Sequence, residues 1–313
     1  MTNRNLALRL CAILLTITSL ALPAAEPGGV SHFKNVNAPG AIETDPYAIN
    51  NSGVIAGDYV DSSGVQHGMI LKGKVLTSVD NADCTTTPGA GAIAFFGIDT
   101  TETVVGWCTS NKTGLDIAFS YFKGKFVNIA FPGSISTLAQ GINDKGQIVG
   151  TYFDSSDVEH GFLLSGKKYT SLDVTGGYTN SDAWAINSSG LITIFALNSG
   201  GTHDSFLFNG KTYTQIDVPG AAESFVAGID KFGDRVYTVV DSSNNMHGAL
   251  FLKAKGGHYY VFDDPKGVGT TEAFGLNDKL KIVGRYAPTA GPSDPAYQGY
   301  SAVGCCRGFP PKR

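Results

Sequence analysis

Residues 141–150 read Gly-Ile-Asn-Asp-Lys-Gly-Gln-Ile-Val-Gly, and versions of this phrase recur along the chain. Its core is a small residue, then Ile or Leu, then Asn or Asp, and it begins at residues 48, 97, 141, 185, 228 and 275. The successive spacings are 49, 44, 44, 43 and 47 residues. A period of this length is typical of a solenoid or a propeller, so the repeat decides the fold.

The third repeat shows how one period folds. Residues 139–143 predict a short apolar strand, and the turn at Asp144-Lys145-Gly146 leads into a second strand over 147–152. A third strand is expected over 160–164 and a fourth, with alternating polarity, over 168–174. Four short antiparallel strands in one period predict a blade of a β-propeller.

The sixth repeat ends early, and the beginning of the chain supplies what it lacks. After a third strand expected over 298–303, no fourth strand follows. Residues 32–40 match the fourth strand and the junction of the other repeats, as in residues 211–220. Because closure removes exposed sheet edges, we expect this strand to complete the last blade. The sequence therefore predicts an all-β, six-bladed β-propeller of four-stranded antiparallel blades, closed by the N-terminal strand.

The composition agrees with a turn-rich β protein. The chain has 40 glycines in 313 residues, only 16% charged residues and a net charge of −4. Glycine suits turns that need positive φ and is disfavoured inside helices. Nucleic-acid binding needs a basic face, which this charge balance does not provide. No nucleic-acid partner is expected.

The ends of the chain carry separate predictions. Arg4 and Arg9 form a basic start before an apolar run over 10–22, and the small residues Ala24 and Ala25 follow the run. This pattern predicts a signal peptide over 1–25, with an uncleaved membrane anchor as the alternative. We expect the propeller to span 26–303 and an irregular tail to span 304–313. The mature protein is expected to be secreted or periplasmic, monomeric and without a membrane span.

Four cysteines remain after the predicted signal peptide, and they allow three pairings. Cys84 and Cys108 lie at a repeat junction and a strand end, and we favour a disulfide between them. A bridge between the adjacent Cys305 and Cys306 would be strained. No Cys-x-x-Cys spacing is present, so the cysteines predict no metal site.

Recurrent polar residues are interpreted as structural. His67, His160 and His247 hold equivalent places in three repeats, where a turn carbonyl or an Asp can pair with the ring. A shared metal site is disfavoured, because third strands lie far from the propeller axis. The Asn or Asp of each repeat phrase is expected to bond the backbone of its own turn. Asp61, Asp154 and Asp241 open Asp-Ser-Ser turns, with a weak calcium site as the alternative.

Positions that differ among repeats are the candidates for function. The residues that enter each first strand face one mouth of a propeller channel, and several of them are acidic. This predicted acidic funnel comprises Glu43, Asp45, Asp182, Glu223 and Glu272. It suits a cation or a hydroxyl-rich glycan. The alternatives are a rim of solvated acids and a pair of carboxylates acting as acid and base on a glycoside.

The repeat phrase resembles the bacterial HAF-repeat family of extracellular repeat proteins. That family is named for a His-Ala-Phe step that follows a Gly-Ile-Asn-x-x-Gly-x-Ile/Val-Val-Gly phrase. Residues 141–150 followed by His160-Gly161-Phe162 match it well, whereas Met69, Ala249 and Ile117 depart from the step in other repeats. The resemblance covers about residues 33–303. It implies export and a repeat fold, and it brings no established activity.

The leading hypothesis is a secreted, non-enzymatic binding or scaffold module for a glycan, cell-surface or protein ligand. The chain has no Gly-x-Ser-x-Gly elbow, Walker loop or His-Glu-x-x-His motif, and no cofactor, metal or catalytic residue is predicted. The alternative is an extracellular carbohydrate-active hydrolase or lyase that uses acids such as Asp182 and Glu223 at the channel mouth.

Overall fold

A computed structural model describes residue 22 and residues 29–86, 93–289 and 296–305. These residues form 24 strands arranged in six four-stranded antiparallel sheets, which confirms the predicted six-bladed propeller. The described helical structure is one short 3₁₀ turn, η1 (Lys253–Lys255). No helix in the described part of the chain is long and apolar enough to cross a membrane.

The strands of each blade are given from the innermost to the outermost. Blade 1 comprises β2 (Glu43–Ile49), β3 (Ile55–Val60), β4 (Gln66–Lys72) and β5 (Val75–Val79). Blade 2 comprises β6 (Ala94–Ile98), β7 (Val104–Thr109), β8 (Asp116–Phe122) and β9 (Lys125–Ile129). Blade 3 comprises β10 (Ser136–Ile142), β11 (Ile148–Phe153), β12 (Glu159–Ser165) and β13 (Lys168–Leu172).

The second half of the ring repeats this order. Blade 4 comprises β14 (Tyr178–Ile186), β15 (Ile192–Asn198), β16 (His203–Phe208) and β17 (Tyr213–Gln215). Blade 5 comprises β18 (Glu223–Ile229), β19 (Arg235–Val240), β20 (Met246–Leu252) and β21 (His258–Phe262). Blade 6 comprises β22 (Thr271–Leu276), β23 (Lys281–Tyr286), β24 (Gln298–Gly304) and β1 (Val30–Asn35).

The N-terminal strand closes the ring, as predicted. β1 pairs antiparallel with β24, so the first strand of the chain is the outermost strand of the last blade. The Phe33 ring packs 5.6 Å from Tyr300 in the same blade and 6.1 Å from Phe262 in blade 5, centroid to centroid. β24 continues to Gly304, and the Cys305 N–H donates to the Gly29 carbonyl at 2.9 Å. The rest of the predicted tail, and the predicted signal peptide apart from residue 22, lie outside the described residues.

Every innermost strand carries a register shift at the same place, immediately before the repeat phrase. The six residues at this β-bulge are Tyr47, Phe96, Gln140, Trp184, Ala227 and Phe274. The small residue that follows the bulge lets neighbouring first strands approach closely. A Cβ added to Gly141 would lie 2.8 Å from the Trp184 carbonyl oxygen, which is closer than real contacts allow. This contact explains why the repeat phrase of blade 3 begins with Gly.

The repeated Asn organises its own turn, as predicted, and also joins the blades. Asn143 Oδ1 accepts hydrogen bonds from the N–H groups of Lys145 at 3.0 Å and Gln147 at 3.1 Å. Its Nδ2 donates to the carbonyl of Asn187 in the next blade at 3.0 Å. The side-chain amides of Asn50, Asn187 and Asn277 make the same bond between blades. The sequence predicted the turn but not the bond between blades.

Blades 2 and 5 have Asp in place of Asn, and a carboxylate cannot donate this bond. Another bond between blades is found at these two junctions. The N–H of Thr100 donates to Asp144 at 2.9 Å, and the N–H of Lys231 donates to Asp278 at 3.1 Å. At both junctions, the residue that follows the repeat Asn of the next blade is an Asp, and its carboxylate accepts the bond that joins the blades.

The structure tests the predicted disulfide and the predicted length of a fourth strand. Cys84 and Cys108 form the favoured disulfide, with their Cα atoms 5.7 Å apart, while Cys306 lies outside the described residues.

The fourth strand of blade 4 was predicted over 212–218 but spans only Tyr213–Gln215. The physical reason lies in Asp217, whose carboxylate accepts from the N–H of Ser205 at 2.7 Å. The side chain of Asp217 therefore takes a donor that a longer fourth strand would have used.

Candidate ligand site at the mouth of the channel

Aromatic bulge residues close the central channel part of the way along its length. The Tyr47 and Phe96 rings stack with their centroids 4.4 Å apart. Phe274 lies 5.0 Å from Tyr47, and Trp184 lies 5.8 Å from Phe96. We call these four rings the aromatic plug. The plug separates a strand-start end, where the first strands begin, from a turn end, where the Asn turns lie.

The acids predicted to form a funnel lie at the strand-start end, on two sides of the ring. Asp45, Asp182 and Glu272 each stand two residues before the bulge and are buried, with exposed fractions of 5%, 8% and 0%. Glu43 and Glu223 lie two residues earlier in their strands and are half-buried. Glu43, Asp45 and Glu272 belong to blades 1 and 6, whereas Asp182 and Glu223 belong to blades 4 and 5.

On the first side, Arg285 binds two of the predicted acids. Arg285 lies directly opposite Glu272 in the ladder of blade 6, and its Nε donates to Glu272 Oε1 at 2.9 Å. Its Nη1 donates to Asp45 Oδ1 of blade 1 at 3.2 Å. The Tyr297 ring covers the guanidinium, with the ring centroid 3.8 Å from Cζ. Arg285 thus forms a covered ion pair between the last blade and the first.

A third buried carboxyl, Asp58, lies in the strand next to Asp45 and directly opposite it in the ladder. Gln66 Nε2 donates to Asp58 Oδ2 at 2.8 Å, while Oδ1 has no hydrogen-bond partner in the described part of the chain. We call Asp45, Asp58, Glu272 and Arg285 the Arg285 cluster. The guanidinium of Arg285 is bonded to two of the three carboxyls, those of Asp45 and Glu272.

Burial sets the protonation of this cluster. Burial raises the pKa of Asp45 and of Glu272 even though the charge of Arg285 acts in the opposite direction. The pKa of Asp58 is raised furthest above its ordinary range, because burial is reinforced by the negative charges of Asp45 and Glu43. Asp58 is therefore the carboxyl of the cluster that holds a proton most readily.

On the opposite side of the ring, the acids are arranged differently. Asp182 Oδ1 accepts from Thr151 Oγ1 at 2.6 Å, and Oδ2 accepts from Gln140 Nε2 at 3.2 Å. Asn180 Nδ2 donates to Glu159 Oε2 at 3.2 Å. These bonds bring side chains of blades 3 and 4 together without an arginine.

Aromatic rings border this second group of acids. The His203 ring lies 5.4 Å from Phe225 and 6.0 Å from Phe195, centroid to centroid. His203 Nδ1 is 3.4 Å from Glu223 Oε2, and the two side chains are 33% and 20% exposed. We call this half-exposed group the His203 cluster; its members are Glu159, Asn180, Asp182, Phe195, His203, Glu223 and Phe225.

The two central carboxyls of the His203 cluster hold protons at unusually high pH. Burial and the nearby charge of Asp182 raise the pKa of Glu159 to about 8. Burial likewise raises the pKa of Asp182 to about 6, against the hydrogen bonds from Thr151 and Gln140. At neutral pH Glu159 is therefore a hydrogen-bond donor beside the acceptor Asp182. Such a donor and acceptor pair matches a hydroxyl group, which both donates and accepts.

The recurrent histidines lie elsewhere and have the predicted Asp partners. His67 Nδ1 is 2.8 Å from Asp80 and its Nε2 is 3.4 Å from Asp61. His247 repeats this geometry with Asp263 at 2.9 Å and Asp241 at 3.4 Å. Within the described ranges, no three His, Cys, Asp or Glu side chains are grouped so as to hold a metal ion. The histidines belong to separate blades and do not converge.

The sequence-level prediction missed six residues of these clusters: Asp58, Glu159, Phe195, His203, Phe225 and Arg285. A signal for two of them was present, since Asp58 and Arg285 occupy the same second-strand position, opposite the acid of the first strand. In blade 4 that position holds Phe195. Aligning the second strands would have shown which acid faces an arginine and which faces an aromatic ring.

The fold and this mouth define a six-bladed β-propeller with one covered and one open polar cluster at the strand-start end. No protein-family model and no curated protein sequence matches the chain. Among solved structures, it is similar to a point mutant of the Aleuria aurantia lectin in complex with Fucα1-6GlcNAc, with 12% identity, a TM-score of 0.50, and coverage of 88% of this chain and 100% of the lectin.

Two further structures are similar at the same level. SapL1 lectin in complex with α-methyl fucoside has 10% identity and a TM-score of 0.52, covering 79% of this chain and 88% of the lectin. TolB from Acinetobacter baumannii has 11% identity and a TM-score of 0.55, covering 80% of this chain and 64% of TolB. Because the sequence identities are this low, these similarities show the propeller fold alone.

Proposed function

We propose that this protein is a non-enzymatic carbohydrate-binding propeller and that the His203 cluster is its binding site. The observation that carries the proposal is the half-exposed edge formed by Phe225 and His203 beside the Glu159 and Asp182 carboxyls. The Arg285 cluster is not part of the proposed site, because its Asp45 and Glu272 carboxyls are bound to a covered arginine.

A sugar ring has an apolar C–H face and a rim of hydroxyl groups, so its binding site needs an aromatic surface and convergent polar groups. Phe225 and the His203 ring supply the surface, and Asn180, Glu159 and Glu223 supply polar groups around it. Two lectins of similar fold are in complex with fucose-containing ligands, which supports a glycan as the ligand here.

The proposal includes export and membership of the HAF-repeat family. The Cys84–Cys108 disulfide supports an oxidising compartment outside the cytosol. The repeat phrase at residues 141–150 and its structural use at the turns support the family relationship. Detection of the mature N-terminus in an exported fraction tests the first part.

The test of the binding function is a glycan array followed by calorimetric titration of the best glycan. His203→Ala and Phe225→Ala are each expected to weaken binding by at least tenfold. The matched control is His160→Ala, since His160 also pairs with Asp173 but lies in the outer part of blade 3. The proposal is wrong if no glycan binds, or if the His203 and control variants bind equally well.

The second candidate function is a carbohydrate-active hydrolase or lyase, and one observation favours it. Glu159 and Asp182 have raised pKa values, and each is the kind of carboxyl that acts as a general acid near neutral pH. Turnover of the bound glycan decides between the two functions. Glycan cleavage that is lost in Glu159→Gln while binding persists would establish the enzyme, whereas binding without cleavage supports the module.

A further inference from the structure

We infer that the junction between blades 5 and 6 holds a second ligand site, which takes a sugar residue that carries a carboxylate, a hexuronate. The site is a pocket between the closing strand β1 and the segment that joins β21 to β22, and we call it the closure pocket. Its lining residues are Phe33, Lys34, Asn35, Asp264, Pro265 and Lys266. None of them belongs to the His203 cluster, so the inference goes beyond the proposed function and does not depend on it.

The size of the closure pocket suits a sugar ring with its substituents. Its volume is about 470 Å³, within the range of about 300–1,000 Å³ that is usual for small-molecule sites. Half of its lining comes from the first strand of the chain and half from the junction after blade 5. The pocket is therefore formed only when β1 closes the ring.

Lys34 places a charge at a repeat position that is uncharged in every other blade. Lys34 pairs with Ser301 in the ladder between β1 and β24, and its side chain is exposed. The same register in the other five blades gives Thr77, Val127, Thr170, Thr214 and Tyr260 at the equivalent position. Because five blades fold without a charge here, the charge of Lys34 is not needed for the blade.

Asp264 is the second departure from the repeat. In five junctions, one residue donates its backbone N–H to a Thr or Ser hydroxyl of the next innermost strand. Four of these five residues are apolar, namely Ala38, Phe131, Val174 and Val218. The fifth is Asp264, which is only 3% exposed. A buried carboxyl thus occupies a place that other junctions give to an apolar side chain.

Lys266 is the third departure, in the turn that Asp264 begins. The carbonyl of Asp264 accepts from the N–H three residues later, and the carbonyls of Ala38, Phe131 and Val218 do the same. Lys266 therefore stands where these other turns have Gly40, Gly133 and Gly220. Its N–H donates to Asp264 Oδ1 at 2.8 Å, and its Nζ donates to Asn35 Oδ1 at 3.4 Å.

Three charges that the repeat does not require thus converge on one pocket. The ammonium groups of Lys34 and Lys266 suit a carboxylate, which accepts strong charge-assisted hydrogen bonds. Positive charge is concentrated here, since burial and the nearby charge of Lys34 lower the pKa of Lys281. With two ammonium groups and one carboxyl among its lining residues, the pocket favours a ligand with a single negative charge.

Asp264 makes the ligand a hydroxyl-bearing acid. Burial raises the pKa of Asp264, and a hydroxyl pairs with its carboxyl in either protonation state, because a hydroxyl both donates and accepts. A phosphate group would bring further negative charge towards Asp264, and a free amino acid has no net charge to match the two lysines. A hexuronate combines one carboxylate with several hydroxyls, and the half-buried Phe33 adds an apolar surface for its C–H groups.

The experiment titrates the full chain calorimetrically with sodium galacturonate and sodium glucuronate at constant ionic strength. Galactose and glucose are the matched neutral probes, because each has a CH₂OH group where its uronate has the carboxylate. We expect one uronate to bind saturably at pH 7 and its neutral counterpart to bind at least tenfold more weakly.

Lys34→Ala and Lys266→Ala should each weaken binding of that uronate by at least tenfold. Both side chains are exposed, so these variants are expected to fold. Asp264→Val introduces the residue found at the junctions after blades 3 and 4 and should also weaken binding, and the lysine variants decide the matter if it fails to fold. The matched control is Lys168→Ala, an exposed lysine on the outermost strand of blade 3, which should bind like the parent protein.

The inference is overturned if neither uronate binds, if the neutral sugars bind as tightly, or if both lysine variants bind like the parent protein. Binding of only glutamate or inorganic phosphate, used as two further probes, would also overturn it. Uronate binding that is kept in His203→Ala and lost in Lys34→Ala supports the closure pocket, even if the proposed function fails. The reverse pattern would overturn the closure pocket and leave the His203 cluster as the site.

Discussion

The two sides of the strand-start end use the same repeat position for opposite purposes. Glu272 of blade 6 and Asp182 of blade 4 both stand two residues before the bulge. Glu272 faces Arg285 across its ladder and is fully buried in an ion pair. Asp182 faces Phe195, and its carboxylate is held by an amide and a hydroxyl beside a half-exposed surface.

The difference coincides with the place where the chain closes the ring. The Arg285 cluster joins blade 6, which contains both ends of the propeller, to blade 1. Neighbouring strands within blades 3 to 5 are all joined by continuous chain, whereas β24 and β1 within blade 6 are not. The acids at the closure are therefore held in an ion pair, whereas the acids across the ring belong to the proposed binding site.

The largest effect is expected from removal of the closing strand. Deletion of residues 30–39 exposes the edge of β24 and uncovers Tyr300, which Phe33 contacts. We expect loss of the soluble folded monomer, measured by size-exclusion chromatography and circular dichroism. Lys34→Ala, on the same strand, is the control and should stay monomeric. A deleted protein that is monomeric and equally stable would refute closure by β1.

Arg285→Ala tests the covered cluster itself. Removing one partner of a buried ion pair typically costs about 3–5 kcal/mol, because the remaining charges stay buried. We expect a loss of this size in the free energy of unfolding at pH 7, measured by urea denaturation. The loss should shrink at pH 4, where the carboxyls with raised pKa values are protonated.

Arg235→Ala is the matched control for that variant. Arg235 is also buried, but its side-chain bonds go to the Tyr237 hydroxyl and the Gly233 carbonyl. It should therefore lose less stability, and with a weaker dependence on pH. Equal losses in the two variants would contradict the role given to the Arg285 ion pair.

Asp58→Asn should stabilise the protein, because an amide keeps the acceptor for Gln66 and removes a buried ionisable group. The folded state raises the pKa of Asp58, so wild-type stability is lost as the pH rises through that value. We expect equal stability near pH 4 and a gain of about 1–2 kcal/mol at pH 8.

Asp61→Asn provides the opposite sign in the same blade. Hydrogen bonds from the backbone N–H groups of Val65 and Ser63 lower the pKa of Asp61. Its stabilising contribution is therefore present above the ordinary pKa of Asp and lost as the pH falls. Urea denaturation across pH 3–8 should show the two variants diverging from wild type in opposite directions, and parallel curves would refute the assignment.

The open side of the ring should have a pH dependence of its own. The pKa of Glu159 is raised to about 8, so wild-type stability should decline as the pH rises from the ordinary Glu range to 8. Glu159→Gln removes this decline, so the variant should become more stable than wild type as the pH rises towards 9. Thermal unfolding across this pH range measures it. Identical pH profiles for the variant and wild type would show that folding does not raise the pKa of Glu159.

The sequence was sufficient for the fold because the information was local and repeated. Asn143, with the Gly at position 146, encodes a turn within five residues, and six copies of the phrase fix the blade number. The closing strand was predictable because residues 32–40 match the fourth strand and junction of the other repeats. The shortened β17 was not predictable, since it depends on how one Asp217 side chain is oriented.

The candidate site was predicted only in part, because its partners come from different blades. The acids Asp182 and Glu272 could be placed at one mouth, but Asp45 and Arg285 are 240 residues apart and meet only when the ring closes. Glu159 approaches Asn180 and Asp182 from the beginning of a third strand in the preceding blade. Sequence spacing does not show that Arg285 of the last blade reaches Asp45 of the first.

The shared β-bulge makes the channel lining separable from the fold. A bulge residue is left out of the ladder pairing, so its identity does not set the strand register. Six such positions, one in each blade, can be exchanged while the turns and the contacts between first strands are kept. Substitutions confined to these six positions would thus change the side chains that line the channel without changing the strand register.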